Sequence, residues 1–142
     1  MTRMKSRINS NTKLVLPELS YTIMGALFKV HNELGPLMLE KYYQRAVAKE
    51  LSVEGLSFTR EVPIALNYQG ENIGRYFLDF VVEDKVILEL KANKFSDPKF
   101  FKQVLTYLNT THLPLAIMAN FRRKRLEYKR IVNAEFKGKS FE

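Results

Sequence analysis

DFVVEDKVILELK, residues 79–91, reads as two β-strands joined by a tight turn. Glu83-Asp84-Lys85 forms the turn and pairs Val82 with Val86, and the second strand, VILEL, is apolar enough to be buried. Yet the first strand carries Asp79, and the second carries Glu89 and ends on Lys91. Side chains alternate along a strand, so Glu89 and Lys91 share a face. Counting back three positions from Val82 and forward three from Val86 sets Asp79 opposite Glu89, with Cβ atoms about 4.5–5.5 Å apart. A slip of one residue would put the two on opposite faces. Two ionised carboxylates about 5 Å apart repel by roughly 3 kcal/mol at an effective dielectric of 20, and taking them out of water costs several kcal/mol more. A divalent cation relieves both terms, because hard cations such as Mg²⁺ prefer oxygen ligands.

Upstream, Pro17 and Glu18 suit the first turn of a helix running to about Asn32, with Ile23, Leu27, Val30 and Leu34 at helical spacing and Gly35-Pro36 as its break. A second helix is expected from about Leu37 to Glu54, with Gly55 as its cap. Tyr43, Val47 and Leu51 follow Glu40 at helical spacing, which turns Glu40 toward the buried face as a third inward carboxylate. The period then changes to two. Val62, Ile64, Leu66 and Tyr68 alternate, residues 69–72 turn, and 73–82 and 86–91 are strands. Downstream, Ser96-Asp97-Pro98 starts a helix to about Asn109, with Asp97 as N-cap. On it Gln103 and Tyr107 stack four apart, beside the apolar stripe of Val104 and Leu108, so that Gln103 could reach the site on the sheet. Leu115 to Ala119 is a short apolar strand, and Leu126 to Val132 is a candidate for a last one. The fold class is therefore α/β. A three-strand meander and a helical crossover build a mixed central sheet of four to five strands flanked by helices, and the crossover sets the fourth strand parallel to the third.

The length of 142 residues suits one domain: a basic, flexible arm over 1–15, the domain over 16–133 and a tail over 134–142. The hydrophobic share of 46% and the charged share of 27% are those of an ordinary globular protein. No apolar run is long enough to span a membrane, and the first residues lack the apolar core of a signal peptide. With no cysteine there is no disulfide framework, thiolate zinc site or cysteine nucleophile; a cytoplasmic location is the default expectation. The net charge is +8, and from Phe121 onward eight Lys/Arg face three Asp/Glu. A basic surface of this kind attracts polyanions, nucleic acid first among them. Arg122, Arg123, Lys124 and Arg125 are the candidate phosphate contacts.

Together, Asp79-x9-Glu89-Leu90-Lys91 on paired strands resembles the PD-(D/E)xK nuclease superfamily. Gln103-x3-Tyr107 resembles the QxxxY element of its RecB/Cas4-like branch. Val30-His31-x2-Leu34-Gly35-Pro36, Glu40 and Tyr43 resemble the small bacterial GxxExxY proteins within it. The resemblance spans about residues 18 to 132. Leu37 replaces the glycine three residues before the glutamate, and Leu78 replaces the proline before Asp79; neither change removes a charged group. The resemblance implies a restriction-endonuclease-like core. It also implies a Mg²⁺ (or Mn²⁺) ion held by Asp79, Glu89 and the Leu90 carbonyl, with Glu40 as a direct or water-mediated ligand. Lys91 would orient or deprotonate the attacking water, and Gln103 and Tyr107 would complete the catalytic set.

Blander readings stand beside these. Glu89 and Lys91 read alternatively as a solvated strand pair, Glu40 as a helix-edge charge, Gln103 and Tyr107 as helix packing with a polar rim, and residues 121–125 as a solvated loop. His31 reads as a helix-terminal residue hydrogen-bonded locally, with a supporting or ligand role at the site as the alternative. The reading favoured by the intact acidic-plus-lysine set is a metal-dependent nuclease hydrolysing phosphodiester bonds of nucleic acid, DNA favoured. The alternative is a catalytically weak protein of the same fold, acting as a nucleic-acid-binding or partner-binding subunit. The small size favours a homodimer or a place in a larger assembly, with no membrane association.

Overall fold

The computed structural model describes residues 15–94 and 97–136; most of the expected arm, Ser96 and the end of the expected tail lie outside them. Helix α1 (Pro17–Leu34) has proline in its first turn and ends where Gly35, at φ 74°, donates its N–H to the His31 carbonyl. Left-handed backbone is cheap only for glycine, which fixes the stop. Helix α2 (Glu40–Val53) buries Tyr43, Val47 and Leu51 completely. Its end is a Schellman motif: Leu56 N–H reaches the Leu51 carbonyl and Gly55 N–H the Ser52 carbonyl. The helix begins at Glu40 rather than near Leu37. Residues 35–39 form instead a non-helical connection, held by Tyr43, whose hydroxyl donates to the Gly35 carbonyl and accepts the Met38 N–H.

Five strands follow: β1 (Phe58–Tyr68), β2 (Glu71–Val82), β3 (Val86–Lys91), β4 (Leu115–Asn120) and β5 (Glu127–Val132). They lie in sequence order across one sheet. β3 and β4 are parallel, joined through helix α3 (Pro98–Thr111), and the other neighbours are antiparallel. The expected meander, crossover and last strand are all present. Asp97 caps α3 by accepting the Lys99 N–H at 2.9 Å, with Pro98 behind it. β1 is longer than its alternation suggested, because residues 58–60 pair with 80–82 before the alternating stretch begins.

The sheet separates two apolar layers. Helices α1 and α2 pack on Phe80, Val82, Leu88, Leu90 and Ile117, and α3 packs on Leu78, Val81, Ile87, Ala116 and Ile131. β3 is central and buried on both faces, as expected of a strand inside the parallel part of a sheet. One irregularity positions the site. Leu78 faces α3, Phe80 faces α1 and α2, and Val81 faces α3 again. Glu61, across from Asp79, has φ 53°, and neither residue keeps a ladder partner between the pairs Arg60↔Phe80 and Val62↔Leu78. The faces of β1 and β2 therefore switch at Glu61 and Asp79.

Candidate active site

The hairpin register is the expected one: Val82↔Val86, Val81↔Ile87, Phe80↔Leu88. The next pair would be Asp79 with Glu89, and there the backbone ladder stops. Side chains replace it. Asp79 N–H donates to Glu89 Oε2 at 2.6 Å, and Leu90 N–H donates to Asp79 Oδ2 at 2.8 Å. Each carboxylate thus closes on the other strand's main chain, which is how two acids are tolerated inside a sheet. Charge-assisted bonds to backbone N–H groups offset part of the desolvation.

Glu89 is fully buried and takes a second bond from the Tyr76 hydroxyl at 2.7 Å. Tyr76 is stacked on Tyr107 of α3, ring centroids 4.2 Å apart, so a packed aromatic pair orients the Glu89 carboxylate. Burial, then the neighbouring Asp79 charge, pushes the Glu89 carboxyl up to about 7, against the pull of its two hydrogen bonds and of Lys91. Burial also raises Asp79; the Leu90 N–H opposes this, the charge of Glu40 adds to it, and Lys91 and Arg60 oppose it. Burial and the Glu89 charge raise the Tyr76 hydroxyl as well, keeping it a donor. Lys91 is half-buried beyond Leu90, its Nζ 4.6 Å from the centre of the Phe100 ring.

Of the residues singled out in the sequence, the structure brings Asp79, Glu89, Leu90 and Lys91 together. Tyr107 joins them through Tyr76 rather than directly. Glu40, half-buried at the start of α2, is felt electrostatically at Asp79. Among the described residues, however, no three His, Cys, Asp or Glu side chains gather as a metal-holding group. The expected convergence of three carboxylates is therefore a close pair with a more distant third. Gln103 is exposed, and it is the Tyr76–Tyr107 stack that links α3 to Glu89. His31 is buried and bonded through Nε2 to the Arg123 carbonyl at 2.8 Å. Its partner is 92 positions away, not local. That bond pins the basic loop, which starts where Phe121 N–H meets the Lys91 carbonyl at 2.8 Å. Residues 122–125 are exposed there, with Arg123 Nε 3.8 Å from Glu127.

Two neighbours escaped the sequence reading. Tyr76 shares a face with Glu89 only because of the switch at Asp79, which no residue type announces. Arg60 lies over the Phe80 ring at 5.3 Å, its Nε buried without a hydrogen-bond partner among the described residues, and its charge lowers Asp79.

A mixed five-stranded sheet flanked by helices, with paired acids and a lysine where the ladder of a central hairpin stops, is the architecture of a restriction-endonuclease-like fold. The family model of the PD-(D/E)XK nuclease superfamily matches residues 17–131, and the chain belongs to that superfamily. Neither a curated protein nor a solved structure is significantly similar to the chain. Nucleases of this superfamily generally use divalent metal ions. The residues present fit one. The donor set is all oxygen, and Mg²⁺ is commonly held by one or two carboxylates with water filling the rest of its shell. Asp79 Oδ1 accepts no hydrogen bond among the described residues. In an extended strand the N–H and C=O of one residue leave on the same side, so the Leu90 carbonyl faces the gap that its N–H faces. Among the described residues no helix is long and apolar enough to cross a membrane.

Proposed function

We propose that the protein is a Mg²⁺- or Mn²⁺-dependent phosphodiesterase that hydrolyses nucleic acid, DNA favoured, as a relative of the GxxExxY proteins and the RecB/Cas4-like nucleases. The single observation that carries this reading is the reciprocal Asp79–Glu89 arrangement beside Lys91. A fold gains nothing by burying two acids that repel each other, whereas a cation site requires them. Asp79, Glu89 and the Leu90 carbonyl would hold the ion, with Glu40 reaching it through water. When bound, the ion supplies Lewis-acid polarisation of the phosphoryl oxygen and a water of lowered pKa.

The chain's own groups do the rest. Lys91 Nζ orients the attacking water and offsets negative charge growing on the phosphate. Tyr76, held by Tyr107, keeps Glu89 in one rotamer. Residues 122–125, fixed by His31 beside the Lys91 carbonyl, bind the phosphate backbone without reading bases. Gln103 remains available to the substrate from the exposed side of α3. The test is a cleavage assay on labelled single- and double-stranded DNA and RNA with Mg²⁺ or Mn²⁺. Cleavage that disappears in EDTA and in Lys91→Ala supports the reading. A wild-type chain that binds nucleic acid and cuts none of the panel supports the binding subunit instead.

A further inference from the structure

Beside the carboxylate pair, between the start of α3 and the ends of β4 and β5, lies a groove of about 710 Å³. Lys91 lines both the groove and the site. The other walls include Phe100, Phe101, Met118, Lys102 and Lys129. We propose that this groove takes an unpaired nucleotide of the substrate strand, its base lying on the Phe101 ring, so that the strand is single-stranded next to the bond that is cut. This rests on the phosphodiesterase reading of Asp79, Glu89 and Lys91.

Four observations select this occupant. The volume is that of a small-molecule site rather than a surface dimple. The shared Lys91 puts anything in the groove adjacent to the scissile phosphate. The walls are largely apolar with three aromatic rings, Phe100, Phe101 and Tyr128, which suits a π face and not a bare anion. The charges around the groove are of both signs: Asp97 and Glu127 face Lys91, Lys102 and Lys129. A phosphate set deep among them would meet the carboxylates. A base inside, with its phosphate on the lysines, meets neither repulsion, and exocyclic amino groups can donate to the acids.

The ring faces are already used by cations. Lys129 Nζ lies 5.8 Å from the Phe101 ring centre and Lys91 Nζ 4.6 Å from that of Phe100. Such contacts are weak at exposed sites. A base arriving on Phe101 would displace the Lys129 ammonium toward the phosphate, where its charge is better used. A base stacked inside a duplex cannot present its face to Phe101, so the groove discriminates by unstacking, not by sequence.

The test is fluorescence anisotropy of the full chain in EDTA, where binding is read without turnover. The probes are a labelled 12-nucleotide single-stranded DNA, the same sequence as RNA, and an all-abasic deoxyribose-phosphate chain of equal length. Phe101 is partly buried against the α3 layer, so the variant is Phe101→Leu, with a thermal melt to confirm folding. The proposal expects Phe101→Leu to weaken binding of at least one base-bearing probe by about fivefold or more, and to leave the abasic chain's affinity unchanged. Whichever of DNA and RNA shows the Phe101-dependent share is the source of the nucleotide. Equal weakening of base-bearing and abasic probes, or none for any probe, overturns it. So does a Phe101→Leu effect confined to self-association in sedimentation, which would assign the groove to a second copy of the chain. If the groove result holds while no substrate is cleaved, the nuclease reading fails and the binding site stands.

Discussion

Replacing Glu89 with glutamine should stabilise the metal-free protein above pH 7 and change it little at pH 5. Glutamine copies the protonated acid in shape. Its carbonyl can accept the Asp79 N–H, and its amide can donate to the Tyr76 hydroxyl, so neither hydrogen bond of Glu89 is orphaned. What it removes is the buried charge. The carboxyl's ordinary value is 4.5, and in the folded protein it is pushed up to about 7. Between those values the folded chain keeps a proton that the unfolded chain has released, so stability falls as pH rises through that window and is level above it. The loss amounts to about 3 kcal/mol, a figure in which Asp79 shares because the two acids repel. For a chain of 142 residues this is about 10 °C in melting temperature. Melts in EDTA at pH 5, 7 and 8.5 would show the Glu89→Gln advantage growing with pH and then levelling. Mg²⁺ at pH 8.5 should raise the wild type and not the variant. A variant less stable than wild type at pH 8.5, or an advantage independent of pH, would show that the buried charge of Glu89 is not what costs stability.

Further outcomes follow from the same geometry. Asp79→Asn should abolish metal-dependent cleavage while raising the metal-free melting temperature, since it removes half of a repelling pair; loss of activity together with loss of stability would contradict this. Tyr76→Phe removes a hydrogen bond that favours ionised Glu89, so the acid limb of the pH–rate profile should move to higher pH with the fold intact by circular dichroism. Replacing Arg122, Arg123, Lys124 and Arg125 together with alanine should weaken binding to all sequences alike. It should also flatten the logarithmic salt dependence by about 0.9 for each duplex phosphate that these side chains neutralise; an unchanged slope would place the phosphate-binding surface elsewhere. Asn133→Ala should cost about 1–3 kcal/mol in denaturant melts, because its buried amide satisfies the carbonyls of Leu108 and Leu113.

Much of this molecule is local chemistry and therefore legible in order. β3 reads from its own apolar run, the start of α3 from Asp97 and Pro98, and the end of α2 from Gly55. The hairpin register follows from the turn at residues 83–85, and with it the approach of Asp79 to Glu89. What escaped depends on partners distant in sequence. Residues 58–60 are strand because 80–82 pair with them, not because of their own pattern. α2 starts late because the Tyr43 hydroxyl holds the chain at Gly35 and Met38. The switch of face at Glu61 and Asp79 rests on a positive φ in a non-glycine residue, which carries no residue signature. Without it Tyr76 would lie on the other side of the sheet from Glu89, so strict alternation hides the residue that fixes the Glu89 carboxylate. Gln103 shares its side of α3 with Tyr107 by spacing alone, yet Gln103 is exposed and Tyr107 is buried.

The Asp79–Glu89 pair, read as a cation site, is open to direct measurement. Isothermal titration of Mn²⁺ into the full chain at pH 7, repeated in two buffers of different ionisation enthalpy, tests it directly. Ionised carboxylates are needed for the metal, and the Glu89 carboxyl is pushed up to about 7, so binding should release protons and the measured heat should depend on the buffer. Binding and proton release should both vanish in Asp79→Asn. Mn²⁺ binding of unchanged affinity in that variant, or no binding by a folded wild-type chain, would contradict the cation-site reading.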